Sequence, residues 1–175
     1  LTGVHELWPA DELDAIFLGP WCFVDHPRYD FWDQTRFSLA PSPWRTADDI
    51  LHASRYLDST VDKILPVLAR YLNEWHGRDY SERFWRISLI AWLVHWLGTV
   101  FDRFKRIEHL GQVFSSERFS VGVCATKPTE RFIDYQDFSR RFSDHYFNLN
   151  LFSQIIRLAK FQFLEPRAVT NLPSF

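Results

Sequence analysis

Apolar residues recur at steps of three and four from residue 50 onward, at Ile50, Ala53, Leu57, Val61, Ile64, Leu68, Tyr71 and Trp75. That spacing predicts an amphipathic helix with its stripe toward a core. Thr46 ahead of Asp48 and Asp49 supplies an N-cap and acids for the first turn, while Gly77 after His76 supplies a C-terminal stop. Pro66 falls inside this pattern and predicts a kink or a restart. A second helix is expected over about residues 80–110, with Asp79 and Glu82 spaced as a capping box. Between residues 87 and 101 it is apolar on every side, which predicts a buried central helix.

Strand signals are shorter. Ala15, Ile16, Phe17 and Leu18 run into the Gly19-Pro20 break, giving a strand near residues 15–19. Alternation of Phe119, Val121 and Val123 with Ser120, Gly122 and Cys124 gives another near residues 119–124, stopped by Lys127-Pro128. Residues 23–45 have no periodicity and hold Pro27, Pro41 and Pro43, so they are expected as a long loop, with Phe31, Trp32 and Trp44 as its aromatics. Two more helices are expected over residues 135–143 and 148–163. Together these patterns give an α/β fold that is predominantly helical, with short parallel strands packed around the central helix. Residues 15–163 are expected as one module and residues 164–175, with Pro166 and Pro173, as a truncated connection.

Composition changes the picture in three respects. The 175 residues carry 17 Phe, 8 Trp and 6 Tyr, so either the core is bulky or some rings form a stacking surface for sugars or bases. A formal charge of -2 lacks the positive excess of phosphate-backbone binders, so nucleic acid is not an expected partner. The basic residues are 16 Arg and 4 Lys, which leaves a local anion grip open. Cys22 and Cys124 match no metal or redox spacing and are expected as reduced thiols in the cytoplasm. The uncharged stretch over residues 87–101 is 15 residues, short of the roughly 20 that a membrane span takes, so no span is expected. The chain begins at Leu1 and not at Met, which is the expectation for a processed product or a portion of a longer protein.

No phosphate loop, nucleophile elbow or metal-spaced His and Cys set is present in the sequence, and no metal is expected. The densest chemistry is the turn His76-Gly77-Arg78-Asp79-Tyr80 followed by Arg83 and Arg86. Arg83 and Arg86 are three residues apart at a helix start, where free N–H groups attract anions. They suit a phosphate or carboxylate clamp, or equally a pairing with Asp79 and Glu82. His76 is the candidate general base. Asp102 and Arg103 form either an ion pair or a ligand contact. Trp21 follows a strand end, where open α/β sheets place ligands.

Several segments carry a resemblance. Phe17-Leu18-Gly19-Pro20-Trp21-Cys22, Trp44, Tyr56-Leu57, Leu72-Asn73, His76-Gly77, Tyr80-Ser81-Glu82-Arg83-Phe84-Trp85-Arg86-Ile87, Trp92-Leu93 and Phe101-Asp102-Arg103 are similar to the N-terminal part of a family of bacterial transferases of surface-carbohydrate (O-antigen type) biosynthesis. Phe138-Ser139, Asp144, Asn148 and Ser153 continue the likeness, which covers about residues 15–160. The chain departs from the family pattern at Pro20, Arg45-Thr46 and Ile90-Ala91.

The resemblance implies the acceptor-side module of a glycosyltransferase-like enzyme. A nucleotide sugar donor would then be held by a second half of the polypeptide, with no cofactor in this chain and no transfer by the chain alone. The implied partners are a carbohydrate or lipid-linked carbohydrate acceptor and the rest of the same polypeptide. The reading from another class is a non-enzymatic helical interaction module that docks a partner protein through exposed aromatics.

Overall fold

The computed structural model describes residues 4, 8, 15–23, 37–124, 132 and 134–169. Chain order is β1 (Ala15–Phe17), a 3-10 turn (Pro20–Phe23), β2 (Phe37–Leu39), α1 (Ala47–His76), α2 (Glu82–Val113), β3 (Phe119–Cys124), α3 (Tyr135–Arg141), α4 (His145–Ala159) and β4 (Leu164–Val169). This is the expected predominantly helical α/β class with short parallel strands. β1 pairs with β2, Ala15 opposite Phe37 and Phe17 opposite Leu39. β3 pairs with β4 over six residues, from Phe119 opposite Leu164 to Cys124 opposite Val169. Phe31, Trp32 and the Lys127-Pro128 stop lie outside the described residues.

Two strands, β2 and β4, form where no strand is expected from local patterning. β2 occupies three residues of the expected loop, too few to show a period. β4 occupies residues 164–169, which read as a connection, because Pro166 lacks the N–H of an inner strand; with β3 as its neighbour it needs pairing on one side only. Contacts divide the chain into two compact units, Trp44–Asp102 and Leu1–Pro43 with Arg103–Phe175.

The unit Trp44–Asp102 is a helical hairpin of α1 and the first part of α2. Thr46 caps α1: its hydroxyl accepts from the Asp49 N–H at 3.2 Å, and the Asp49 carboxylate accepts from the Thr46 N–H at 2.8 Å. α1 continues through Pro66 as a single helix. Its covered line is Val61, Leu65 and Ala69, packed with Trp85 and Leu93 of α2. Four-residue steps keep those three in register with one neighbouring helix. The broader stripe is only partly covered: Ile50, Tyr71 and Trp75 stay exposed, because a single partner helix shields one narrow line of a 30-residue helix.

α2 starts at Glu82, capped by Ser81, whose hydroxyl accepts from the Phe84 N–H at 3.2 Å. Ser81 thus holds the position that the spacing suggested for Asp79. The expectation of a helix buried all round is corrected. Trp85, Leu93, Thr99, Ile107 and Leu110 are buried, while Phe84, Val94 and Ile87, the last 71% accessible, face outward. Apolar composition predicts what a helix tolerates on its faces, whereas the number of neighbours decides which faces are covered. By length and composition alone α2 also meets the requirement for crossing a membrane.

In the other unit, Phe17, Phe23 and Cys22 form one cluster with Trp8 and Trp21. α4 buries Phe147, Leu149, Leu151, Phe152, Ile155 and Ile156, and begins three residues before the expected Asn148 because Asp144 caps the Phe147 N–H at 2.8 Å. α4 also closes the end of β3: the Ser153 hydroxyl accepts from the Cys124 N–H at 3.0 Å, and Arg157 donates to the Cys124 carbonyl. Both cysteines are buried free thiols.

Candidate functional site

The link between α1 and α2 is held by one side chain. Asn73 Oδ1 accepts from the Tyr80 N–H at 3.0 Å and from Trp85 Nε1 at 2.9 Å, and Asn73 Nδ2 donates to the Tyr80 carbonyl at 2.8 Å. Its backbone carbonyl accepts from the Arg78 N–H at 2.9 Å. Gly77 sits at φ 59, the left-handed position that lets the chain leave α1. Beside this link is an open pocket of about 590 Å³, bordered by Arg70, Glu74, Arg78, Asp79, Tyr80 and Glu82. His76 ends α1 exposed, its ring 6.1 Å from Trp85 at 25°.

Of the two arginines of the expected clamp, Arg86 pairs with Asp62 of α1 at 2.5 Å. That carboxylate raises the Arg86 pKa above its ordinary value, with a further push from Glu82. Arg83 is exposed and makes no hydrogen bond or ion pair with the described residues. The two side chains share a helix start, yet the structure gives them no common acceptor.

Trp21 and Arg103 lie in the other unit. Trp21 follows β1 in the 3-10 turn, and the Arg106 guanidinium stacks over its ring at 4.4 Å. An atom added at Gly19 would fall 1.7 Å from the Trp21 ring, so only glycine lets the indole close over the turn. Arg103 Nε donates to Asn148 Oδ1 at 2.9 Å. Asp102 accepts from Trp44 Nε1 at 2.6 Å. Adjacent in sequence, Asp102 and Arg103 reach different elements.

Sequence reasoning singled out the turn, and Asn73 only as part of the resemblance, but not Arg70, Glu74 or Arg106. Arg70 and Glu74 are spaced four apart in the last turns of α1, a one-face signal that was readable. Arg106 is three residues beyond Arg103 and was readable in the same way. Asn73 as a clamp had no local signal, since its partners lie 7 and 12 residues away. No group of three metal-ligating side chains exists among the described residues.

The pocket is bordered by charged donors and acceptors and by Tyr80. That arrangement suits binding and positioning of a polar substrate. A family model described as LIC12162 family transferase matches residues 1–172, and the chain belongs to that family. No curated protein and no solved structure matches the chain.

Proposed function

From membership of this transferase family we propose that the chain is the N-terminal, acceptor-side module of a glycosyltransferase-like enzyme in bacterial surface polysaccharide biosynthesis. The observation that carries the reading is the family match over residues 1–172. The pocket at the α1–α2 link supports it with a wall of polar side chains beside an aromatic ring. A nucleotide sugar donor belongs in this reading to another part of the polypeptide, and the acceptor is a carbohydrate or a lipid-linked carbohydrate. In this reading the chain works in the cytoplasm.

The test is calorimetric titration of UDP, GDP and dTDP into the 175-residue chain. The expected result is no tight binding and no sugar transfer by the chain alone. Tight binding at one site would place the donor here and overturn the acceptor-side assignment.

A second reading, a helical module docking a partner protein, is favoured by the exposed rings Tyr71, Trp75, Tyr80 and Phe84 on the hairpin. Substitution of Trp75 and Tyr71 separates the two. Loss of a protein complex with transfer intact in the whole enzyme supports docking, and loss of transfer supports the acceptor role.

A further inference from the structure

The pocket wall carries both signs of charge, Arg70 and Arg78 against Glu74, Asp79 and Glu82. Among the described residues none of these five forms an ion pair with another, although they border one pocket. Two cations and three anions leave the wall with one net negative charge. Carboxylates only accept hydrogen bonds and guanidinium groups only donate, whereas a hydroxyl does both. Unpaired acceptors and donors side by side therefore match a ligand made of neighbouring hydroxyls. A free phosphate or carboxylate would meet three acceptors that repel it.

Tyr80 borders the same pocket as an exposed aromatic residue, and the C–H side of a sugar can lie against an exposed ring. Its own ring is backed by Phe84 at 4.2 Å, which fixes its tilt. The main chain behind the wall is fixed as well, by the three Asn73 side-chain bonds and the Gly77 cap, so binding has to order side chains and not the backbone. The volume of about 590 Å³ falls within the roughly 300–1,000 Å³ of small-molecule sites.

We propose that this pocket is a subsite for an uncharged sugar residue and discriminates against acidic sugars. The proposal rests on the acceptor-side reading and deepens it: the sugar seated at the link is neutral, and the anion clamp suggested by Arg83 and Arg86 is not its basis.

The experiment uses the ¹⁵N-labelled 175-residue chain, with amide shifts followed during titration with methyl β-D-glucopyranoside, methyl β-D-galactopyranoside, N-acetylglucosamine and glucuronate. At least one neutral sugar is expected to shift the Gly77, Tyr80 and Glu82 amides saturably, with a Kd of roughly 1–10 mM, the range of a single shallow subsite. Glucuronate is expected to bind about fivefold more weakly, the size of one charge repulsion near a surface.

The double variant Glu74→Gln, Asp79→Asn turns the wall from one net negative to one net positive charge. It should bring glucuronate to the affinity of the neutral sugar, whose own affinity changes by the smaller amount because Gln and Asn each keep a carbonyl acceptor. Dispersed amide resonances report that this variant is folded. No saturable shift with any neutral sugar, glucuronate binding as tightly as its neutral counterpart, or shifts centred elsewhere would each overturn the proposal. Such a failure with nucleotide binding still absent removes the subsite and leaves the acceptor-side reading standing. Tight nucleotide binding removes that reading itself.

Discussion

Asn73 and Tyr80 grip each other through two hydrogen bonds, one in each direction, with Trp85 Nε1 as a third contact to the same Asn73 oxygen. A turn held this way depends on an amide that both donates and accepts. Asn73→Ala removes all three bonds and should cost about 2–3 kcal/mol, at about 1 kcal/mol for each bond. Asn73→Asp keeps the acceptor for Tyr80 and Trp85, loses the donor and sets a second carboxylate oxygen against the Tyr80 carbonyl, a repulsion that protonation of the carboxyl removes. Its cost should therefore shrink on going from neutral to acid pH, while that of Asn73→Ala changes less. Urea denaturation of both variants at neutral and acid pH is the measurement, and the same pH dependence for both would show that the clamp is not the origin.

Leu93 is 2% accessible within the α1–α2 core, while Trp92 beside it is only half-buried and stacks on Trp96 at 6.4 Å. Leu93→Ala leaves a cavity among Val61, Leu65 and Trp85, at an expected cost of about 2–5 kcal/mol. Trp92→Ala removes a larger side chain from a less covered position and should cost only about 1–2 kcal/mol. The order of the two melting shifts is the check. A greater loss from Trp92 would restore the idea of a helix enclosed on all sides.

The ends of α1 were readable because their causes are local: Thr46, Asp49 and Gly77 act within four residues of the helix they bound. β3 was readable for the same reason, its alternation lying wholly within residues 119–124. β4 was not, because its stability as a strand comes from β3, 45 residues earlier, and its own Pro166 argues against it locally. The site divides in the same way. The His76-Gly77 turn announced itself through its cap, whereas the ion-pair partner of Arg86 proved to be Asp62, 24 residues back on the other helix, and not Glu82 one turn before it or Asp79 ahead of the helix. Periodicity says which residues can share a face; it does not say which face finds a neighbour.

The capping box at Thr46 predicts a signed pH dependence. Hydrogen bonds from the Thr46 hydroxyl, the Thr46 N–H and the Arg45 N–H hold the Asp49 carboxyl below its ordinary pKa. A group with a depressed folded value adds stability that is full above the ordinary carboxylate range and is lost as pH falls through the lower folded value. The stability difference between the native chain and Asp49→Asn should therefore be constant near neutral pH and vanish in acid. Thermal melts from pH 7 downward measure it, and a difference that grows in acid would contradict the sign.

Burial pushes the Cys22 thiol above its ordinary pKa, and Cys22 and Cys124 are 0% and 2% accessible. Thiolate is the reactive form, so neither residue should react with a thiol reagent while the chain is folded. Denaturant should release both thiols together, without any reductant. Detection of fewer than two after unfolding would indicate a disulfide.

Gly19, Trp21 and Arg106 form one packing unit, and each step in it depends on the one before. The indole closes over Gly19, with ring atoms 1.7, 2.0 and 2.3 Å from where a Cβ would stand, and the Arg106 guanidinium lies over the same ring at 4.4 Å. A methyl group at residue 19 cannot share that space, so Gly19→Ala must turn the indole away. The expected cost is about 1–3 kcal/mol, in the range for overpacking. Arg106→Leu alone removes the cation over the ring and should cost about 0.5–1 kcal/mol. Because the first change already displaces the ring, the second should add little on top of it, and the double variant should be less destabilised than the two single losses combined. Urea midpoints of the four proteins close the cycle. Additive losses would show that the Trp21 ring keeps its place over Arg106 without Gly19, and the closure of the turn would then not be what positions this arginine.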